Sequence, residues 1–91
     1  MSNNTVAQAG TLESNDILIR LSRSDSGENV VNLKSIVLRQ FGPAIEKTIR
    51  QCLDDFALTA MQVDADDRGA LECTIKARME AAAERFGRMS K

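Results

Sequence analysis

The class of this protein turns on the stretch MQVDADDRGALECTIKARMEAAAERFG, residues 61–87, because its hydrophobic period changes part-way along. Met61, Val63 and Ala65 alternate with Gln62 and Asp64, as a half-buried strand requires. Asp66-Asp67-Arg68-Gly69 is turn chemistry, after which Leu71, Cys73 and Ile75 alternate with Glu72, Thr74 and Lys76. These residues predict a hairpin over 61–75. A single helix from Gly69 to Phe86 competes with it, since Leu71, Ile75, Met79, Ala82 and Phe86 also fit helical spacing, but it would put Cys73 on the polar side. We take strand, turn and strand, followed by a closing helix. Met79, Ala82, Ala83 and Phe86 form its inward face, Ala81 to Ala83 favour helix intrinsically, and Gly87 is a natural stop.

Upstream of that stretch, Val37, Phe41, Ile45, Ile49, Cys52, Leu53 and Phe56 recur at steps of three and four and mark one stripe of a helix. Ser35 is a candidate N-cap. Pro43 lies eight residues further on, so either the helix kinks there or the main helix starts at the proline. Earlier still, Ile17, Ile19 and Leu21 share one face of a strand and Leu18, Arg20 and Ser22 the other. The turn residues Ser24-Asp25-Ser26-Gly27 and a short alternation at Val31 and Leu33 complete a loose hairpin over 17–34. Residues 1–9 are small, polar and aperiodic and read as a flexible tail, with one domain over 10–91. The expected class is α+β: a small single domain of order ββαββα, its two hairpins forming an antiparallel sheet packed by two helices.

Composition limits the chemistry. A chain of 91 residues buries about 65% of its unfolded surface, enough for one modest core but not for a deep enclosed active site. There is no His, Trp or Tyr, so the commonest general base and metal ligand is missing and no side chain has an ordinary pKa between 5 and 8. Triad hydrolysis and zinc catalysis are disfavoured on that ground. Twelve Lys and Arg against thirteen Asp and Glu give a net charge of −1, which lacks the single-sign field that holds nucleic acid or an anionic membrane. No stretch approaches the ~20 apolar residues of a membrane span, and no signal peptide is evident, so a cytoplasmic protein is expected.

Candidate functional residues are few. Cys52 and Cys73 form no CxxC pair and read as reduced, small buried hydrophobes, Cys52 on the helix stripe and Cys73 on a strand's inner face. Asp54, Asp55, Asp64, Asp66 and Asp67 cluster without a basic residue among them. They serve a turn and a helix end, or else a docking surface; Asp64, Asp66 and Asp67 lack the ligand set and glycine placement of a calcium loop. Ser14, in AGTLESND over residues 9–16 with Asn15 and Asp16 after it, is an ordinary turn serine by local chemistry alone.

Wider spacing gives that serine a context. AGTLESND, then an apolar strand containing Arg20, then Gln40-Phe41-Gly42 with Ala44-Ile45-Glu46, DDRGALEC over 66–73 and Lys76-Ala77-Arg78 together resemble the acyl carrier (gamma) chain of citrate lyase. The resemblance extends from residue 7 to about residue 86, with Pro43 as a departure in the helix.

It implies a carrier subunit that is not itself an enzyme. A serine at the position of Ser14 would be joined through a phosphodiester to 2'-(5''-phosphoribosyl)-3'-dephospho-CoA, whose thiol holds acetyl and citryl thioesters while citrate is cleaved to acetate and oxaloacetate. The implied partners are the alpha (acyl transferase) and beta (citryl lyase) subunits and a prosthetic-group transferase, with no nucleic acid, membrane or metal. A thiol supplied by a cofactor is consistent with a chain that has neither His nor an activated Cys. Glu13 and Asp16 would flank the phosphate and keep it from folding back. The related carrier of malonate decarboxylase uses the same kind of group and is the alternative, and a small interaction domain without a prosthetic group is a second. A four-helix acyl carrier is disfavoured by the strands and by the lack of an Asp-Ser-Leu site.

Overall fold

A computed structural model describes residues 5–89. The elements run β1 (Ala7–Ala9), β2 (Ile17–Arg23), β3 (Val30–Ser35), α1 (Leu38–Asp55), β4 (Met61–Asp67) and α2 (Glu72–Met89). The α+β class holds, with four strands in one sheet and two helices. Alternation places Ile17, Ile19 and Leu21 of β2 and Met61, Val63 and Ala65 of β4 on the buried face. Ile45, Ile49, Cys52 and Leu53 of α1 and Ile75, Met79, Ala82 and Phe86 of α2 close the core over it. Each fully buried large aliphatic side chain contributes about 1.5–3 kcal/mol.

The connections differ from the expected hairpins. The strand order is β1-β2-β4-β3, so β4 occupies the slot between β2 and β3. β2 and β4 are antiparallel, with Ile17 opposite Asp67 and Arg23 opposite Met61, whereas β3 and β4 are parallel, with Val31 opposite Val63. The sheet is therefore mixed, and 17–34 is not a hairpin. Helix α1 is the crossover that parallel pairing demands, carrying the chain from the end of β3 back to the start of β4.

The segment 71–75 is also corrected, from strand to the start of α2, giving the order βββαβα. Ile75 is buried while Leu71 and Cys73 are exposed, so the helical period and not the alternation describes the packing. Asp67 shapes the turn that leads into α2: its carboxylate accepts from the backbone N–H groups of Gly69 (3.1 Å) and Ala70 (2.9 Å) ahead of the helix. Glu72 and Lys76 pair across one turn at 3.0 Å. Gly87 does not stop α2, which continues to Met89.

In the supposed tail, Ala7 and Ala9 are buried and β1 pairs with β2, Ala7 opposite Leu21. Residues 1–4 lie outside the described residues. Pro43 sits inside α1, and Val37, not Ser35, holds the N-cap position; the Ser35 hydroxyl accepts from the Val37 N–H at 3.1 Å. Phe41, placed on the inward stripe by its spacing, is exposed.

Candidate functional site

Ser14 lies on the ten-to-sixteen loop that joins β1 to β2. β2 and both helices begin at this end of the molecule, and β1, β3 and β4 end there. Thr11, Leu12, Glu13, Ser14 and Asn15 are all exposed, so apolar burial cannot shape the loop. Hydrogen bonds do. The Asp16 N–H donates to the Glu13 carbonyl at 3.1 Å, closing a turn over 13–16, and Asn15 takes a left-handed φ of 68° that Asn tolerates well. Ser14 is the second residue of that turn, and no partner holds its hydroxyl among the described residues.

The turn is fastened to the sheet on one side and to α2 on the other. The Asn15 N–H donates to the Arg68 carbonyl and the Arg68 N–H to the Asp16 carbonyl, both at 2.8 Å. The Asp16 carboxylate accepts from Arg78 Nε and from Arg78 Nη2, both at 3.0 Å. It also accepts from the Thr11 hydroxyl at 2.7 Å and from the Ile17 N–H at 2.7 Å. Arg78 lies on α2 between the buried Ile75 and Met79, so core packing sets where its guanidinium reaches. That guanidinium holds the Asp16 carboxyl far below the usual carboxylate range; burial opposes the effect, and the Thr11 and Ile17 donors add to it. Asp16 in turn raises the pKa of Arg78.

Gly10 begins the loop with φ +93°, and a Cβ there would meet the Ile17 carbonyl oxygen at 1.8 Å and Arg78 Cδ at 3.3 Å. Only glycine fits that crossing of backbones.

Several sequence expectations resolve here. Asp16 is buried and committed to Arg78, so it does not flank Ser14 as a free charge; Glu13 remains exposed beside it. The Asp cluster is dispersed into structural roles. Asp64 accepts from Asn32 and Gln62, Asp66 pairs with Arg68, and Asp67 accepts from the Ser35 hydroxyl at 2.8 Å besides the two amides. Cys52 is buried in the core and burial pushes its thiol pKa up, whereas Cys73 is exposed. Among the described residues no group of three His, Cys, Asp or Glu could hold a metal ion, and no helix is long and apolar enough to cross a membrane. The sequence left Arg78 as a letter in a motif; its role depends on a contact 62 positions away, for which the only local signal is a lone arginine near an inward helix face.

The turn thus presents an exposed hydroxyl on a fastened frame. Comparison with known proteins gives the family of the chain. The acyl carrier family described as Malonate decarboxylase delta subunit (MdcD) matches residues 4–86. A citrate lyase acyl carrier protein of Treponema denticola is 47% identical over 79 residues, covering 87% of this chain and 88% of that one. The chain belongs to the citrate lyase acyl carrier protein family. Members from Rhodopseudomonas palustris (47% identical, 87% of this chain and 80% of that one) and Haemophilus influenzae (46% identical, 88% and 82%) are similarly close. A chain of a Pseudomonas malonate decarboxylase hetero-tetramer, solved with malonate, shares the fold with a TM-score of 0.71 at 18% identity, over 92% of this chain and 86% of that one.

Proposed function

We propose that this protein is the acyl carrier subunit of a citrate lyase, non-catalytic in itself and loaded on Ser14 with 2'-(5''-phosphoribosyl)-3'-dephospho-CoA. The observation that carries the reading is the free Ser14 hydroxyl, exposed at the tip of a turn that is hydrogen-bonded to both the sheet and α2. The donor set fits an ester attachment: one exposed hydroxyl, with no hydrogen bond from it to a base among the described residues. When bound, the group would supply the terminal thiol that carries the acyl cargo. The chain's own part is mechanical. Ser14 anchors the tether, Gly10 and Asn15 turn the chain so that the anchor faces outward, and Asp16 and Arg68 keep the turn against the end of β4.

On this reading the partners are the alpha and beta subunits of the lyase and a prosthetic-group transferase, and the site of action is the cytoplasm. A tether joined to a rigid body raises the concentration of its tip at two partner sites to the order of millimolar when it can span them. The similarity to citrate lyase carriers at 46–47% identity favours citryl and acetyl as the cargo. The family description and the structural neighbour favour a second reading, the malonate decarboxylase carrier. Intact-mass measurement on protein from its own cells tests the first point: a coenzyme-A-sized addition is expected, abolished in Ser14→Ala. An unmodified Ser14 in a working complex overturns it. Adding citrate or malonate to the native complex, and reading which acyl mass is carried, separates the two cargoes.

A further inference from the structure

We infer that Arg78 is a positioning residue for the loading of Ser14, acting from α2 as a staple across both ends of the 10–16 loop. The inference rests on Ser14 being the loaded residue, and it assigns a role to a side chain that need never touch the incoming group. At the front of the loop the Arg78 stem lies where Gly10 allows no side chain, its Cδ 3.3 Å from the position a Cβ would take. At the back its guanidinium binds both carboxylate oxygens of Asp16. Thr11, one residue inside the front end, donates to the same carboxylate, so front and back are joined through one ion pair. Between them, residues 11–15 are exposed, and their apolar packing is limited to Leu12, half-covered where it shares a groove with Leu18 and Leu38. The core-facing residues on either side of Arg78, Ile75 and Met79, belong to the helix whether or not the guanidinium is present. The fold can therefore survive loss of Arg78, which leaves the turn its backbone bonds to Arg68 and Glu13 but removes the ion pair that ties it to α2 and loosens its shape.

A transferase that recognises the shaped turn sees only the fraction of carrier that holds it, and its apparent affinity falls by that fraction. Arg78→Ala is expected to raise the KM for carrier about 10-fold in the loading reaction, with kcat unchanged at saturation. Arg78→Lys is expected to recover part of the loss, because an ammonium serves the carboxylate as a point charge and not as a two-pronged fork. Arg85→Ala is the control: Arg85 is on the same helix and donates to the Gln8 carbonyl, away from the loop, so its KM should stay within about twofold of wild type.

The experiment combines initial rates of Ser14 loading, followed by intact mass with the transferase of its own cells at varied carrier concentration, with amide exchange at Asn15 and Asp16. Those two amides donate to Arg68 and Glu13 in the shaped turn and should exchange faster in Arg78→Ala. Wild-type KM in Arg78→Ala overturns the inference. So does a fall in kcat at constant KM, and so does a raised KM with both amides still protected, since each would mean direct contact with the transferase or no role. If wild-type protein is not loaded at Ser14 at all, the functional reading fails, while amide exchange still decides whether Arg78 shapes the turn. Should Arg78→Ala fail to fold, Arg78→Lys gives the same comparison.

Discussion

Asp16 and Asp67 are the buried carboxylates of the described residues, and they are compensated in different ways. Asp67 is held by neutral donors, the Ser35 hydroxyl and the Gly69 and Ala70 amides. Asp67→Ala strips all three of their acceptor and should cost about 2–4 kcal/mol in urea unfolding, with faster amide exchange at Gly69 and Ala70 in the turn before α2. Asp16 is held by a full charge, and its folded pKa lies below its unfolded one. The stabilisation is therefore present above the unfolded value, about 3.9, and is lost as pH falls below it toward the folded value. Asp16→Asn should be less stable than wild type by about 1–3 kcal/mol at pH 7. The gap should narrow once pH drops below about 4. A gap that is constant across that range would mean that the carboxylate charge is not what binds Arg78.

At the scale of elements, α2 and α1 give separate tests. Because 72–75 is helical, Cys73 faces solvent while Cys52 is in the core with a raised thiol pKa. A thiol reagent should label Cys73 in the folded protein and Cys52 only at the rate of unfolding. A strand at 71–75 would have protected both. In α1, Pro43 removes an N–H that would otherwise bond to the Arg39 carbonyl. Pro43→Ala should stabilise the protein by about 1–2 kcal/mol in thermal or urea melts, the helix gain being partly offset by the freer unfolded chain. The core stripe of α1 was legible from spacing, as were the strands at Ile17–Leu21 and Met61–Ala65. The stretch 71–75 misled because Leu71, Cys73 and Ile75 satisfy both periods. The packing decides between them: Ile75 is buried while Leu71 and Cys73 are exposed, a tertiary placement invisible to a local pattern. Ser14 was locally unremarkable and stood out through resemblance alone, while the Asp16–Arg78 pair spans most of the chain and has no periodic signature.

For the molecule as a whole, the strand order mattered more than the element list. Alternation predicts a strand but not its neighbour, so the insertion of β4 between β2 and β3 could not be read from it. The small size of β1 also hid it, since three residues with two alanines carry too little hydrophobicity to mark a strand. Its contribution can be measured. A chain starting at Gly10 should lose about 2–3 kcal/mol in thermal unfolding, because Ala7 and Ala9 are buried and Gln8 bonds Arg20 and Arg85. A mobile tail predicts no change.

The late arrival of β4 sets an order of events during synthesis. The partners that fasten the serine turn, Arg68 and Arg78, are translated more than fifty residues after Ser14, and a nascent chain that has only reached α1 offers a serine without its frame. On the proposed loading of Ser14, recognition of the framed turn would act as an inspection step: a half-made or misfolded copy would go unloaded, and the attached group would be reserved for finished molecules.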